Sequence, residues 1–450
     1  MNEFRSPALL VLATALFAPA SSVSGADSWP RRFGNDQNTT DAGAQVSADG
    51  VVLSPENVID LSVTASFPVA GNATPIIGHG LLLYGSSVGI TVIDLESGKT
   101  LIRMDTPGLG LESTGTLATV TVPADDGPRE ENRFYIGVNS ATETLHCLNV
   151  DRILADRATL ENDDGSDYVC DGPARPFEVT GSTGLLTAAS RLPDAATPRK
   201  PWPLALEPPP PGLGPGLGMA IQSFHGTPLF RKDQPIRVGD TIEIRDVLFT
   251  PSMGIEPSCS ASVVWAIDAW TGEKLWQWDP VRSGDGRGAV VWFSPAMSRD
   301  GKHLYLTTGD CVDKPHIGDQ SESMVSLDPA TGEVQWYRQV RLVDTRDFDI
   351  GNSPTVVDVE GEDGCHLVAH VDKDGCFYAY QQERDVPVVG DPGYDPIRSD
   401  QQRLVWRQCV ARSGTTGGFD ASGASFHGRW LMAQSQRPGG AGADDNAWGF

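Results

Sequence analysis

The chain has 450 residues, 39% of them hydrophobic, and its 49 Gly and 33 Pro supply turns in a number that suits an all-β fold with one large core. Its 59 acidic against 34 basic residues leave a formal net charge of −25. Because that charge is spread along the chain, it reads as solvation in a saline or extracellular habitat, and it excludes nucleic acid and anionic membrane surfaces as partners.

In chain order, Arg5, the apolar run Ala8 to Ala18 and the small pair Ser24 and Ala26 read as a secretory signal peptide over residues 1–26, which predicts a periplasmic or secreted protein starting near Asp27. The apolar run is too short to span a bilayer and no second one follows, so no membrane span is expected. Residues 29–40 read as an irregular lead-in. Leu61 to Phe67, Gly71 to Ile77, Leu81 to Gly85 and Gly89 to Asp94 then alternate with turn residues as the four strands of one unit. A second unit shows in Arg133 to Val138 and Glu143 to Asn149. Residues 151–218 break the rhythm with an acidic loop (Glu161 to Asp167), a Pro- and Arg-rich stretch and a glycine run, Gly212 to Gly218, and read as an insertion. No strand precedes those glycines and Pro215 interrupts them, so they are no dinucleotide cradle.

The organising feature is a repeat. Ala266-Ile-Asp268-Ala-Trp-Thr-Gly272-Glu-Lys-Leu-Trp276 returns as Ser326-Leu-Asp328-Pro-Ala-Thr-Gly332-Glu-Val-Gln-Trp336, and a weaker copy runs from Val92 to Ile102. Each copy is an apolar strand ending at Asp, a tight turn closed by Thr-Gly or Ser-Gly, and a returning strand that ends in Trp, or in Ile in the weak copy. Asn149 stands at the Asp position of the second unit. Such repetition in an all-strand sequence predicts a radial array of sheets. Further units run from Ser353 to Trp406 and open again at Gly423 to Ala433, for about six in all. Either a unit is hidden in the insertion and the lead-in closes the ring, or the sequence is part of a longer one, incomplete at the C-terminus. Residues 27–450 are thus expected to form a single β-propeller domain. Among seven Cys, Cys147 and Cys170 flank the acidic stretch and are the first pair expected to bond. No Cys-x-x-Cys-His occurs, so any haem belongs to a partner.

The Ala-x-Asp-x-x-Thr-Gly-x-x-x-Trp unit resembles the tryptophan-docking repeat of the pyrroloquinoline quinone (PQQ) dehydrogenases, which implies eight blades. Gly288 to Ala296, Leu304 to Asp310, Ser323 to Asp328 and Asp344 to Pro354 resemble, in order and wording, the PQQ alcohol dehydrogenases, particularly the polyvinyl-alcohol dehydrogenase branch. The resemblance implies a stacking floor for the quinone at Trp292 and a cation near its oxygens at Lys373. It also implies a catalytic base at Asp347 with Asp344 as its companion, and Ca²⁺ ligands at Glu256 and Asp310. An alcohol would be oxidised by hydride transfer to the quinone, and the electrons passed to a separate cytochrome. This sequence departs from the family at Ser258-Cys259-Ser260, where adjacent cysteines often stand, and at Arg346, where Trp is usual. The upstream Arg and Thr that grip the quinone carboxylates are not recognisable. The alternative is a non-catalytic propeller that serves as a protein-binding scaffold, for which Asp310 and Lys373 are turn residues and Trp292 packs blades. Carboxylates at three such positions, together with Trp292 and Lys373, favour the enzyme.

Overall fold

The computed structural model describes residues 74–86, 89–105, 114–124, 127–138, 144–172, 204–205, 226–252, 262–278, 280, 289–309, 320–341, 348, 350–358, 366–382, 404–409, 424–426 and 430–432. The expected signal peptide, the lead-in and the expected strand at 61–67 lie outside them. The described strands are antiparallel and fall into five four-stranded sheets and one two-stranded pair. The first sheet holds β1 (Ile76–Gly78), β2 (Leu81–Ser86), β3 (Gly89–Asp94) and β4 (Thr100–Met104). The second holds β5 (Thr116–Val122), β6 (Arg129–Val138), β7 (Thr144–Asn149) and β8 (Leu204–Ala205). The third is β9 (Leu229–Val238), β10 (Thr241–Ser252), β11 (Val263–Asp268) and β12 (Lys274–Trp278), and the fourth is β13 (Ala296–Met297), β14 (Leu304–Thr308), β15 (Ser323–Leu327) and β16 (Val334–Gln339). The fifth is β17 (Thr355–Asp358), β18 (His366–Val371), β19 (Cys376–Gln381) and β20 (Leu404–Cys409), and β21 (Ala424–Phe426) pairs with β22 (Trp430–Met432). The first unit was expected to end at Asp94; the sheet instead takes its last strand from beyond the repeat turn, at Thr100–Met104.

The repeat turn therefore joins the third strand of a sheet to the fourth, and its chemistry recurs in three sheets. Asp94, Asp268 and Asp328 each accept, on the backbone carbonyl, the amide of the turn glycine (Gly98, Gly272, Gly332) at 2.8 Å. Each also accepts, on Oδ1, the amide two residues on (Glu96, Trp270, Ala330) at 2.8, 3.0 and 2.8 Å. The glycines stand at φ 72°, 72° and 73°, where a Cβ is disfavoured. At Asn149 the same side-chain device has another outcome. Its Oδ1 accepts from the Arg152 amide at 3.0 Å and caps a short helix, α1 (Val150–Asp156), so the chain leaves the sheet. Sheet two is completed by β8, which pairs with Thr144 and Leu145 across the interval.

Sheets stack by alternation. Ile90, Val92 and Leu83 of the first sheet pack against Phe134, Ile136 and Leu148 of the second, whereas Tyr135, Leu145 and Cys147 face Leu248, Trp265 and Ile267 of the third. Leu304 and Leu306 face the third sheet and Tyr305, between them, faces the fifth. The closing tryptophans dock onto the next sheet. Trp276 donates Nε1 to the Pro329 carbonyl at 3.0 Å, and a Cβ on Gly332 would meet its ring at 2.7 Å. Where Ile102 replaces that Trp, Gly165 comes as close, 2.8 Å from Ile102 for an added Cβ, and Asp163 pairs with the β4 backbone. The acidic stretch thus covers the outer edge of the first sheet. The expected Cys147–Cys170 disulfide holds this covering segment to β7, and a second, Cys376–Cys409, joins β19 to β20.

First strands of successive sheets lie against one another, β1 with β5, β5 with β9, β13 with β17 and β17 with β21, and so line the inside. A Ser or Thr stands two residues ahead of each of the first five: Thr74, Thr114, Thr227, Ser294 and Ser353, followed by Pro in every case but Thr114. These residues hand hydrogen bonds from sheet to sheet. Thr74 N donates to Thr114 Oγ1 at 3.1 Å, Thr227 N to Ser294 Oγ at 2.8 Å, and Ser294 N to Ser353 Oγ at 3.1 Å; Thr116 Oγ1 donates to the Pro228 carbonyl.

Asp94 of the first repeat turn also carries acid stability. Arg157, just past α1, donates to both Asp94 oxygens, and that contact outweighs burial to hold the Asp94 carboxyl at about 2, below its usual 3.8. A carboxyl depressed in the folded state stabilises fully above its unfolded value and loses that contribution as pH falls through the folded one. Thermal midpoints of the Asp94→Asn variant should therefore drop less than those of the parent between about pH 4 and pH 2. Parallel acid profiles would exclude the pair as a contributor.

Candidate functional site

In an antiparallel four-stranded sheet, the connections between strands one and two and between strands three and four lie at one end. Those between two and three, and from the fourth strand to the next sheet, lie at the other. The repeat turns belong to the first end. Of the six residues singled out in the sequence, the two described ones belong to the second: Lys373 lies between the second and third strands of sheet five, and Trp292 on the connection leading to β13. Along the sequence, Glu256 and Asp310 fall between the second and third strands of sheets three and four, and Asp344 and Asp347 between β16 and β17. Glu256, Asp310, Asp344 and Asp347 lie outside the described residues; Trp292 and Lys373 are described.

Trp292 sits four residues before β13, half-buried, with its indole nitrogen inside. Its backbone is held on both sides. Val291 N donates to Ser262 Oγ at 2.8 Å, Gly309 N to the Val290 carbonyl at 2.8 Å, and Ser294, two residues on, is part of the hydroxyl girdle. The Phe293 carbonyl lies so close to Gly226 that a Cβ there would approach it to 2.7 Å. A partly exposed indole on a backbone fixed in this way suits a stacking floor better than a mobile side chain would.

Lys373 lies in the turn Asp372-Lys-Asp-Gly375, closed by Gly375 N to the Asp372 carbonyl at 3.0 Å, with Gly375 at φ 82°. Beneath it Asn352, next to Ser353 of the girdle, accepts from Val371 N at 3.3 Å and donates to the Val371 carbonyl. One hydrogen-bonded path thus runs from the Trp292 segment through Ser353 and Asn352 to the Lys373 turn. The lysine is half-buried, and its neighbour Asp372 is fully buried. Burial pushes the Asp372 carboxyl up, and the Arg341 guanidinium beside it works against that shift. Burial also opposes the Arg341 charge, but Asp372 and Glu322 together hold it more firmly protonated than a free arginine. His370 is stacked on Tyr378 with ring centroids 4.8 Å apart, Nε2 is 3.0 Å from the Tyr380 hydroxyl, and burial pushes its imidazole down to about 3, so it stays neutral.

Among the described residues no three His, Cys, Asp or Glu side chains are gathered as a metal site, and the two expected ligands are outside them. A cleft of about 340 Å³ lined by Thr121, Arg245, Asp246 and Trp270 opens at the repeat-turn end, where Arg245 is already tied to Asp268 at 2.8 Å and Glu243 at 2.6 Å. No described helix is long and apolar enough to cross a membrane.

Residues 225–390, which hold sheets three and four and most of sheet five, match the family model described as the β-propeller domain of glucose, ethanol and alcohol dehydrogenases that use PQQ. Over those residues the chain resembles the PQQ dehydrogenases. Among curated proteins, the chain is similar to glycerol dehydrogenase large subunits. That of Gluconobacter oxydans is 30% identical over 123 residues, 23% of this chain, and that of Gluconobacter thailandicus 26% over 122. The match spans 16% of the length of either subunit. Among solved structures, the quinohemoprotein alcohol dehydrogenase of Comamonas testosteroni is similar at 16% identity and a TM-score of 0.47, over 83% of this chain and 52% of that one.

Sequence reading missed three features of this end: the Arg341 cluster, the Cys376–Cys409 pair and the hydroxyl girdle. Only the last had a readable signal, the recurring Ser/Thr-Pro before Ile76, Leu229, Ala296 and Thr355.

Proposed function

We propose that this chain is an exported, PQQ- and Ca²⁺-dependent alcohol dehydrogenase, built on a ring of eight blades, that oxidises a CH–OH group and passes electrons to a separate cytochrome. The quinone and Ca²⁺, when bound, supply a two-electron hydride acceptor with a polarised carbonyl. Trp292 offers its half-buried face to the quinone rings, and Lys373 its cation to the quinone oxygens. Glu256 and Asp310 bring the hard oxygen donors that Ca²⁺ requires. Asp347, with Asp344 beside it in sequence, takes the hydroxyl proton as hydride leaves the carbon, so that one proton and one hydride account for the two hydrogens removed. Polymer alcohols, secondary alcohols and sugars all remain within this substrate class.

The observation that carries the reading is the shared end: Trp292 and Lys373 are joined there by the girdle, on connections leading from the same sheets as the four carboxylates. Titration of the full-length, metal-stripped protein with PQQ, with and without Ca²⁺, followed by absorbance and calorimetry, tests it. Calcium-dependent one-to-one binding is expected. A well-folded protein that binds no PQQ would leave the scaffold reading, to be pursued by pull-down.

A further inference from the structure

Arg341 has no part in the sequence resemblance, yet it is the hub of the candidate end. It follows β16 with its side chain only 16% exposed, and Nη2 lies 2.7 Å from the Phe348 carbonyl and 2.9 and 3.0 Å from the two Asp372 oxygens, with Glu322 as a further acceptor. Nη1 lies 3.4 Å from Asp374 Oδ2. Three of these four partners bear on the proposed chemistry. Phe348 is the residue after Asp347, and Asp372 and Asp374 are the residues on either side of Lys373. The fourth partner, Glu322, is 2% exposed, stands at φ 50°, a backbone region that non-glycine residues rarely adopt, and immediately precedes β15.

We propose that Arg341 is a positioning residue: it locks the connection bearing Asp347 to the turn bearing Lys373, and so sets base and quinone-facing cation relative to each other. The inference rests on the roles proposed for those two residues. A planar guanidinium can address a carbonyl and several carboxylates from one fixed plane, which a lysine ammonium, a point charge on a flexible stem, cannot. Asp374 has independent anchors in the Tyr378 hydroxyl at 2.6 Å and Arg407 at 3.2 Å, and the Cys376–Cys409 disulfide closes the strands behind it. The turn itself therefore survives loss of Arg341, and what is lost is its alignment with the Phe348 segment.

The test is a double-mutant cycle on PQQ affinity in the calcium-loaded, full-length protein, using Arg341→Lys, Lys373→Met and the double variant. Arg341→Lys keeps a cation against the buried acids. A Glu322→Gln/Arg341→Met pair, which removes one buried carboxylate together with the guanidinium, provides a second background should the first fold poorly. If Arg341 acts through Lys373, each single variant weakens PQQ binding by about tenfold and the double variant is no weaker than Lys373→Met alone. In turnover, Arg341→Lys is then expected to lower kcat by about ten- to a hundredfold with KM for the alcohol within about twofold, the mark of a misaligned base. Additive losses in affinity, or unchanged affinity and kcat in Arg341→Lys while Lys373→Met is impaired, would overturn the inference. Lys373→Met with parental PQQ affinity, or no binding by the parent, would instead remove the reading of the site and the inference with it.

Discussion

Replacing Asp347 with Asn is expected to lower turnover by about 10²–10⁴-fold, the usual contribution of a positioned general base, while leaving PQQ affinity within a few-fold of the parent. A carboxamide has nearly the shape of a carboxylate but cannot take the alcohol proton, so hydride departure would leave an uncompensated proton on the substrate oxygen. The neighbouring Phe348 carbonyl is a backbone group, so its bond to Arg341 does not depend on the substituted side chain. Stopped-flow reduction of the loaded protein by a simple alcohol separates the step from product release. Full-rate reduction by the Asn variant would remove Asp347 from the role of base and turn attention to Asp344.

Trp336→Ala should cost about 3–5 kcal/mol of stability, the range for truncating a buried Trp or Phe. Trp336 is 2% exposed and packs in the cluster between sheets four and five, with ring centroids 6.0 Å from Tyr305 and 6.2 Å from Tyr380. Ala296, Met324, Val356 and Val368 belong to the same cluster. Truncation would open a void at a contact between two blades, where neither backbone can collapse without disturbing its own ladder. Trp336→Phe keeps most of the volume and should lose less than half as much. Urea unfolding of the two variants checks this; equal, small losses would show that the interface repacks freely. Trp276, only partly buried against sheet four, should show a smaller effect in the same measurement.

The strand-turn-strand unit, its Asp and Gly and its docking Trp were legible because they are local: an aspartate oxygen meets an amide two residues on, and a glycine takes the left-handed turn whatever lies around it. Leu304, Tyr305 and Leu306 are all buried, because this sheet is covered on both faces. The order of sheets came from chain order. Asn149 shows the limit of such local signals. At the Asp position of the repeat, it caps a helix rather than closing a hairpin, because the helix-forming segment Val150–Asp156 stands where the other copies have Thr-Gly or Ser-Gly.

For the site, the sequence by itself determined the residue types: an indole at 292, a lysine in a tight turn at 373, and carboxylates at 256, 310, 344 and 347. Only the tertiary structure decided which end of the sheets Trp292 and Lys373 lie at and what holds them there. The hydroxyl girdle pairs residues as far apart as Thr227 and Ser294, and Arg341 gathers Glu322, Phe348, Asp372 and Asp374 from three separate connections. A guanidinium chooses its acceptors through space, by charge and distance after the sheets have packed, and nothing in the spacing of Arg341 along the chain encodes that choice.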